Sequence, residues 1–134
     1  MKFAVAVHGT RGDVEPAVAV ALELMRRGHE IRMAVPPNLV AFAESAGIPS
    51  ALPYGPDSQK QLEAEVFREW LKLRNPITVI RQGRDYITDG WPEMAETLKQ
   101  LAAGSDAILT GTTYQEVAAN VAEFYGIPLA ALHY

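Results

Sequence analysis

The chain contains no cysteine. That absence excludes a disulfide framework and thiolate chemistry, and it removes the usual soft ligands of a structural zinc site. Histidine is scarce: His8, His29 and His133 are scattered, without metal-ligand spacing. Basic residues are not in excess. A formal net charge of -4 and a pI near 5.3 leave no broad cationic face, so a nucleic-acid partner is not expected. No apolar run approaches the length of a membrane span, and a first strand that begins at Lys2 leaves no room for a signal peptide. A soluble, cytoplasmic protein is the expectation. Internal repeats, linkers and low-complexity tracts are also lacking. What is present is a hydrophobic fraction of 49% in 134 residues, enough to bury the core of one domain.

The order of patterns along the chain predicts the fold class. Lys2 to Val7 is a nearly unbroken apolar run, as for a strand covered on both faces. Glu15 to Arg27 follows as a helix, with Pro16 in its first turn, Val18, Leu22 and Met25 at helical spacing, and Gly28 as its stop. Glu30 to Val35 is a second strand cut off by Pro36-Pro37, after which Asn38 can cap a short helix through Ala46. Ile48 to Pro53 is a weaker third strand. From Asp57 to Gly104 the pattern is helical: Asp57 or Ser58 caps the start, Leu62, Val66 and Trp70 recur every fourth residue, Arg74-Asn75-Pro76 breaks the run, and Gly90-Trp91-Pro92 kinks or restarts it before Met94, Leu98 and Leu101. Ala107 to Thr110 is a buried strand, Tyr114 to Tyr125 an amphipathic helix, and Ile127 to Leu132 a last strand. This alternation implies an α/β domain, a Rossmann-like doubly wound parallel sheet with right-handed crossovers. Every other strand is followed by a helix, yet the chain stops at Tyr134, so the natural domain is expected to continue.

In such a sheet, ligands collect at the carboxyl ends of the strands. There His8-Gly9-Thr10-Arg11-Gly12-Asp13-Val14-Glu15-Pro16 joins the first strand to the first helix. Gly9 to Gly12 can cradle phosphate, with Thr10 and Arg11 touching its oxygens, or can simply make a tight turn; it has neither the lysine of a P-loop nor the GxGxxG of a dinucleotide site. Asp13 can cap the helix, act as a general base toward a hydroxyl, or do both. Glu15 reads as a surface carboxylate complementing the helix dipole. His8 and His133, at two strand ends, can meet a ligand or be packed or solvated, and Thr112 and Thr113 can bond a ligand hydroxyl or cap the next helix. Trp70, Trp91 and Tyr86 read as core or interface groups, or as the lining of a pocket along the helical region.

Gly-Thr-Arg-Gly-Asp-Val-Glu-Pro, Gly9 to Pro16, resembles the opening motif of the GT-B, UGT-like nucleotide-sugar glycosyltransferases, with the sterol glucosyltransferases, the vancomycin-type glycopeptide enzymes and mycobacterial relatives nearest in look. Leu24 to Glu30 with Ala34 to Pro37, Ala43 to Ile48, and Val117 to Pro128 are similar to further stretches of the same family, so the likeness covers most of the chain. The resemblance implies an N-terminal, acceptor-binding Rossmann-like domain spanning 1–134, itself incomplete, with the C-terminal donor-binding domain absent. It implies Asp13 as the catalytic base and Thr10 and Arg11, with Gly12, beside the donor diphosphate, while the strand-end positions of His8, Thr112 and His133 set these toward the acceptor. No metal and no cofactor are implied, the donor being a nucleotide-diphosphate sugar. The acceptor would be a small molecule or lipid of glycolipid, sterol or natural-product type. Plant-type members carry a histidine where Asp13 stands, assisted by an aspartate where Gly111 stands, and that relay is missing here. The fragment alone is expected to be inactive and to pair as a homodimer through its uncovered last strand. The rival expectations are a free-standing flavodoxin-like module gripping a phosphorylated ligand and a non-catalytic interaction domain.

Overall fold

A computed structural model of the protein describes residues 1–72 and 91–133. Five strands form one parallel sheet: β1 (Lys2–Ala6), β2 (Glu30–Val35), β3 (Ala51–Pro53), β4 (Ala107–Thr110) and β5 (Leu129–Ala131), in the order β3-β2-β1-β4-β5. The helices between them are α1 (Arg11–Arg26), α2 (Val40–Ala46) preceded by a 3₁₀ turn (Pro37–Leu39), α3 (Ser58–Lys72), α4 (Trp91–Ala102) and α5 (Gln115–Tyr125). The Rossmann-like doubly wound arrangement expected from the alternation is the one present.

Successive residues of a strand point to opposite faces, and β1 shows why its run is apolar throughout. Ala4 and Ala6 join Leu98, Ile108, Val117 and Val121 in a core under α4 and α5. Val5 and Val7 join Val14, Ala17, Val18, Met33 and Leu109 in a second core under α1 and α2. Small residues on α1, Ala17 and Ala21, let that helix lie close on the sheet.

Several boundaries differ from the sequence reading: β3 begins at Ala51 rather than Ile48, and β5 spans Leu129–Ala131 rather than Ile127 to Leu132. Helix α1 begins at Arg11 rather than Glu15, because Thr10 holds an extended N-cap conformation and Asp13 reaches back to it. Pro16 therefore sits in the second turn, where it removes the N–H that would bond the Gly12 carbonyl. Asn38 does not cap the short helix that follows it; its side chain bonds Ser58 at the start of α3. Of the two expected caps of α3, Asp57 takes the role, its Oδ1 accepting from the Gln59 and Lys60 amides at 2.9 and 3.0 Å. The expected break at Arg74 to Pro76, the stretch through Gly90, Tyr86 and the Trp70 side chain lie outside the described residues. Trp91 packs against the α4–α5 core, as expected of a core group.

Candidate active site

Chain order and sheet order together decide where a site can form. The topology reverses direction between β1 and β4, so the loops leaving these two strands part and leave a crevice. A cleft of about 200 Å³ lies there, lined by His8, Gly9, Thr10 and Asp13 after β1, Ser58, Leu62 and Glu65 of α3, and Thr113 after β4.

Asp13 is half-buried at the first turn of α1. Its Oδ2 accepts from the Thr10 amide at 2.9 Å and from the Thr10 hydroxyl at 3.2 Å. A carboxylate at this position also complements the positive end of the helix dipole. Gly9 is required by the same fold-back: it sits at φ +144°, and a Cβ there would lie 2.7 Å from Asp13 Cγ and 2.8 Å from Asp13 Cβ. The glycine-punctuated loop thus packs around the protein's own carboxylate, which already takes one of the amides a phosphate would seek.

His8 is 2% exposed. Its Nε2 lies 2.7 Å from the Pro56 carbonyl oxygen, which can only accept, so Nε2 carries a proton, and with the pKa held below its usual value the ring at neutral pH is the Nε2–H tautomer. Nδ1 is then a bare acceptor, buried without a hydrogen-bond partner. Burial holds the His8 pKa below its usual value, and the Pro56 bond and the Asp13 carboxylate pull against that shift. The Tyr114 ring meets the imidazole edge-on at 5.1 Å. Tyr54, whose hydroxyl is also buried and unpartnered, has its pKa pushed up by burial.

The other residues singled out from the sequence lie elsewhere. Arg11 turns along the surface, its guanidinium 4.4 Å over the Phe42 ring and its Nε 3.5 Å from Glu15. Gly12 and Thr112 are exposed, and His133 is exposed just past β5. Thr113, rather than Thr112, lines the cleft. Neither threonine caps α5: Tyr114 stands at that N-cap, at φ 60°, without a side-chain cap bond. Ser58, Leu62 and Glu65 were not singled out as site residues. Their signal was the helical pattern after Asp57, which could have carried a pocket wall as well as a core face. Among the described residues no cluster of three His, Asp or Glu could hold a metal, and no helix is long and apolar enough to cross a membrane.

Comparison with known proteins shows the family to which a chain with this sheet belongs. Residues 3–108 match the glycosyltransferase family 28 N-terminal domain, and the chain belongs to that family. Over its whole length it is 56% identical to the uncharacterized glycosyltransferase Rv1524 of Mycobacterium tuberculosis, covering 32% of that protein. It is 31% identical to the glycosyltransferase GtfE of Amycolatopsis orientalis, with 96% of this chain and 29% of that one aligned. Among solved structures, glycosyltransferase VinC in complex with DTDP superposes with a TM-score of 0.65 at 22% identity, over 96% of this chain and 33% of VinC, which speaks for the fold alone. The chain spans about a third of the length of the curated relatives it matches.

Proposed function

We propose that this chain is the acceptor-binding part of an inverting glycosyltransferase, in which Asp13 is the general base. The observation that carries the reading is the half-buried Asp13 carboxylate facing a small cleft whose other walls are formed by α3, tethered through Ser58, and by Thr113 after β4. In the reaction Asp13 takes the proton of an acceptor hydroxyl. The freed oxygen then attacks the anomeric carbon of a nucleotide-diphosphate sugar from the face opposite the leaving group. The bond to the diphosphate breaks, its electron pair leaves with the nucleotide, and the configuration inverts. Thr10, Arg11 and Gly12 at the start of α1 border the donor diphosphate, and the Arg11 and Gly12 amides, the Thr10 amide being held by Asp13, favour its negative charge. The donor's remaining contacts belong to a second Rossmann-like half of the full-length protein. No metal or cofactor enters these steps. Thr112 and His133 stand outside the cleft lining, so contact with either requires an acceptor that extends beyond the cleft.

One variant of Asp13 separates catalysis from capping. Asparagine keeps an oxygen for the Thr10 amide but cannot take a proton. Asp13→Asn in the full-length enzyme is therefore expected to keep its melting temperature and donor affinity while losing about 10²–10⁴ in transfer rate. Activity within a few-fold of the parent would reduce Asp13 to a cap. This chain alone is expected to show negligible calorimetric affinity for UDP- or TDP-sugars; micromolar binding would favour a phosphate-binding module instead. Pairing of two copies through the β5 edge belongs to the same proposal, and sedimentation equilibrium tests it.

A further inference from the structure

We infer that His8 is a positioning residue that sets the spacing of the three loops forming the cleft. The inference rests on the reading of the cleft as an acceptor site. His8 stands where β1 ends, two residues before the N-cap of α1, and reaches all three walls. On its own side the Asp13 carboxylate acts on it electrostatically. Toward the second wall, its Nε2–H donates to the Pro56 carbonyl at 2.7 Å, two residues before Ser58 starts α3. The strap at that bond is drawn in closely: a Cβ on Gly55, at φ +74°, would lie 2.8 Å from His8 Cδ2. Toward the third wall, its ring packs edge-on against Tyr114, next to Thr113.

Tyr114 adds an independent sign of constraint. It is the only residue other than glycine at positive φ among those described, and it is 8% exposed. A non-glycine residue in this region carries strain that persists only where its surroundings over-determine it, and such strain concentrates at functional sites. The imidazole is among the groups that hold it there. Because Nε2 is committed to Pro56 and the ring is 2% exposed, His8 acts through the walls and not by touching the acceptor.

A glutamine places an N–H near the position of His8 Nε2, whereas alanine removes the donor. In the full-length enzyme His8→Ala is expected to lower kcat/KM for the acceptor by about 10²-fold, the cost of misplacing reacting groups by an ångström or so. Donor KM should stay unchanged, and His8→Gln should restore most of the loss. Equal losses in the two variants, or none in His8→Ala, would overturn the inference. Nitrogen-15 NMR of the unmodified chain tests the premise without activity and without a variant that may not fold. At neutral pH it should report a neutral His8 ring protonated on Nε2; a proton on Nδ1 would overturn the proposal. A parent enzyme that transfers no sugar, with the tautomer as described, would sink the catalytic reading and leave the loop clamp standing.

Discussion

Helices α1 and α3 form facing walls of the same cleft, and both carry apolar residues at helical spacing, yet they sit in the molecule differently. The apolar stripe of α1, Val14, Ala17, Val18 and Ala21, is buried against the sheet with each residue at most 3% exposed. On α3, Leu62 is 49% and Val66 65% exposed. The body of the fold grips α3 at its first turn, where Asn38 accepts from the Ser58 amide at 2.9 Å and donates to its hydroxyl at 3.0 Å. Periodicity therefore announces a helix but not what covers it. One wall is part of the core, and the described side chains of the other meet the body of the fold through polar bonds at its start.

Substitutions at five positions sharpen or break this contrast. The largest effect is expected at Ala17→Leu, which forces a larger side chain into the packed face of α1 and should cost about 1–3 kcal/mol in chemical denaturation; a neutral result would mean that α1 is not seated as described. Asp13→Ala removes the carboxylate cap and should cost about 1 kcal/mol, with Asp13→Asn costing less. His8→Gln should change the pH dependence. The folded pKa of His8 lies below its unfolded value of 6.5, so the unfolded state binds more protons between the two. Stability therefore rises with pH across that window, and His8→Gln should flatten the rise in melting temperature just below pH 6.5. Smallest of all, Leu62→Ala and Val66→Ala should each stay within about 0.5 kcal/mol of the parent, as exposed positions do. A loss of several times that size would show that α3 buries this face in solution.

What the sequence made legible follows the same division. Strands such as Lys2–Ala6 and Ala107–Thr110 are apolar on both faces, a pattern only a doubly covered parallel sheet requires, so the architecture could be read directly. Asp13 was legible as cap and candidate base because both roles need a short carboxylate at the strand-to-helix junction. Ser58, Leu62 and Glu65 were not, since their place in the cleft depends on how α3 is tethered by Asn38, a contact across twenty residues that leaves no periodic trace. The lie of the Arg11 side chain was not legible for a related reason. Its neighbours in sequence are glycines and Asp13, but in space its guanidinium finds Phe42 and Glu15.

The strand order has a kinetic consequence. β1 pairs with β2 after a chain excursion of under thirty residues, whereas its pairing with β4 joins Phe3 to Ala107 and Ala6 to Thr110, and the Lys2 amide to Asp106 across 104 residues. Closing the longer loop demands more chain entropy before any contact rewards it. The β1–α1–β2 unit is thus expected to organise early, and the cleft, which needs Thr113 beside Gly9, only once β4 docks. Pulsed hydrogen exchange during refolding should find the β2 amides protected before those of β4. The loop carrying Asp13 would then be in place before the opposite wall exists, so for part of every folding event the future site stands open to solvent.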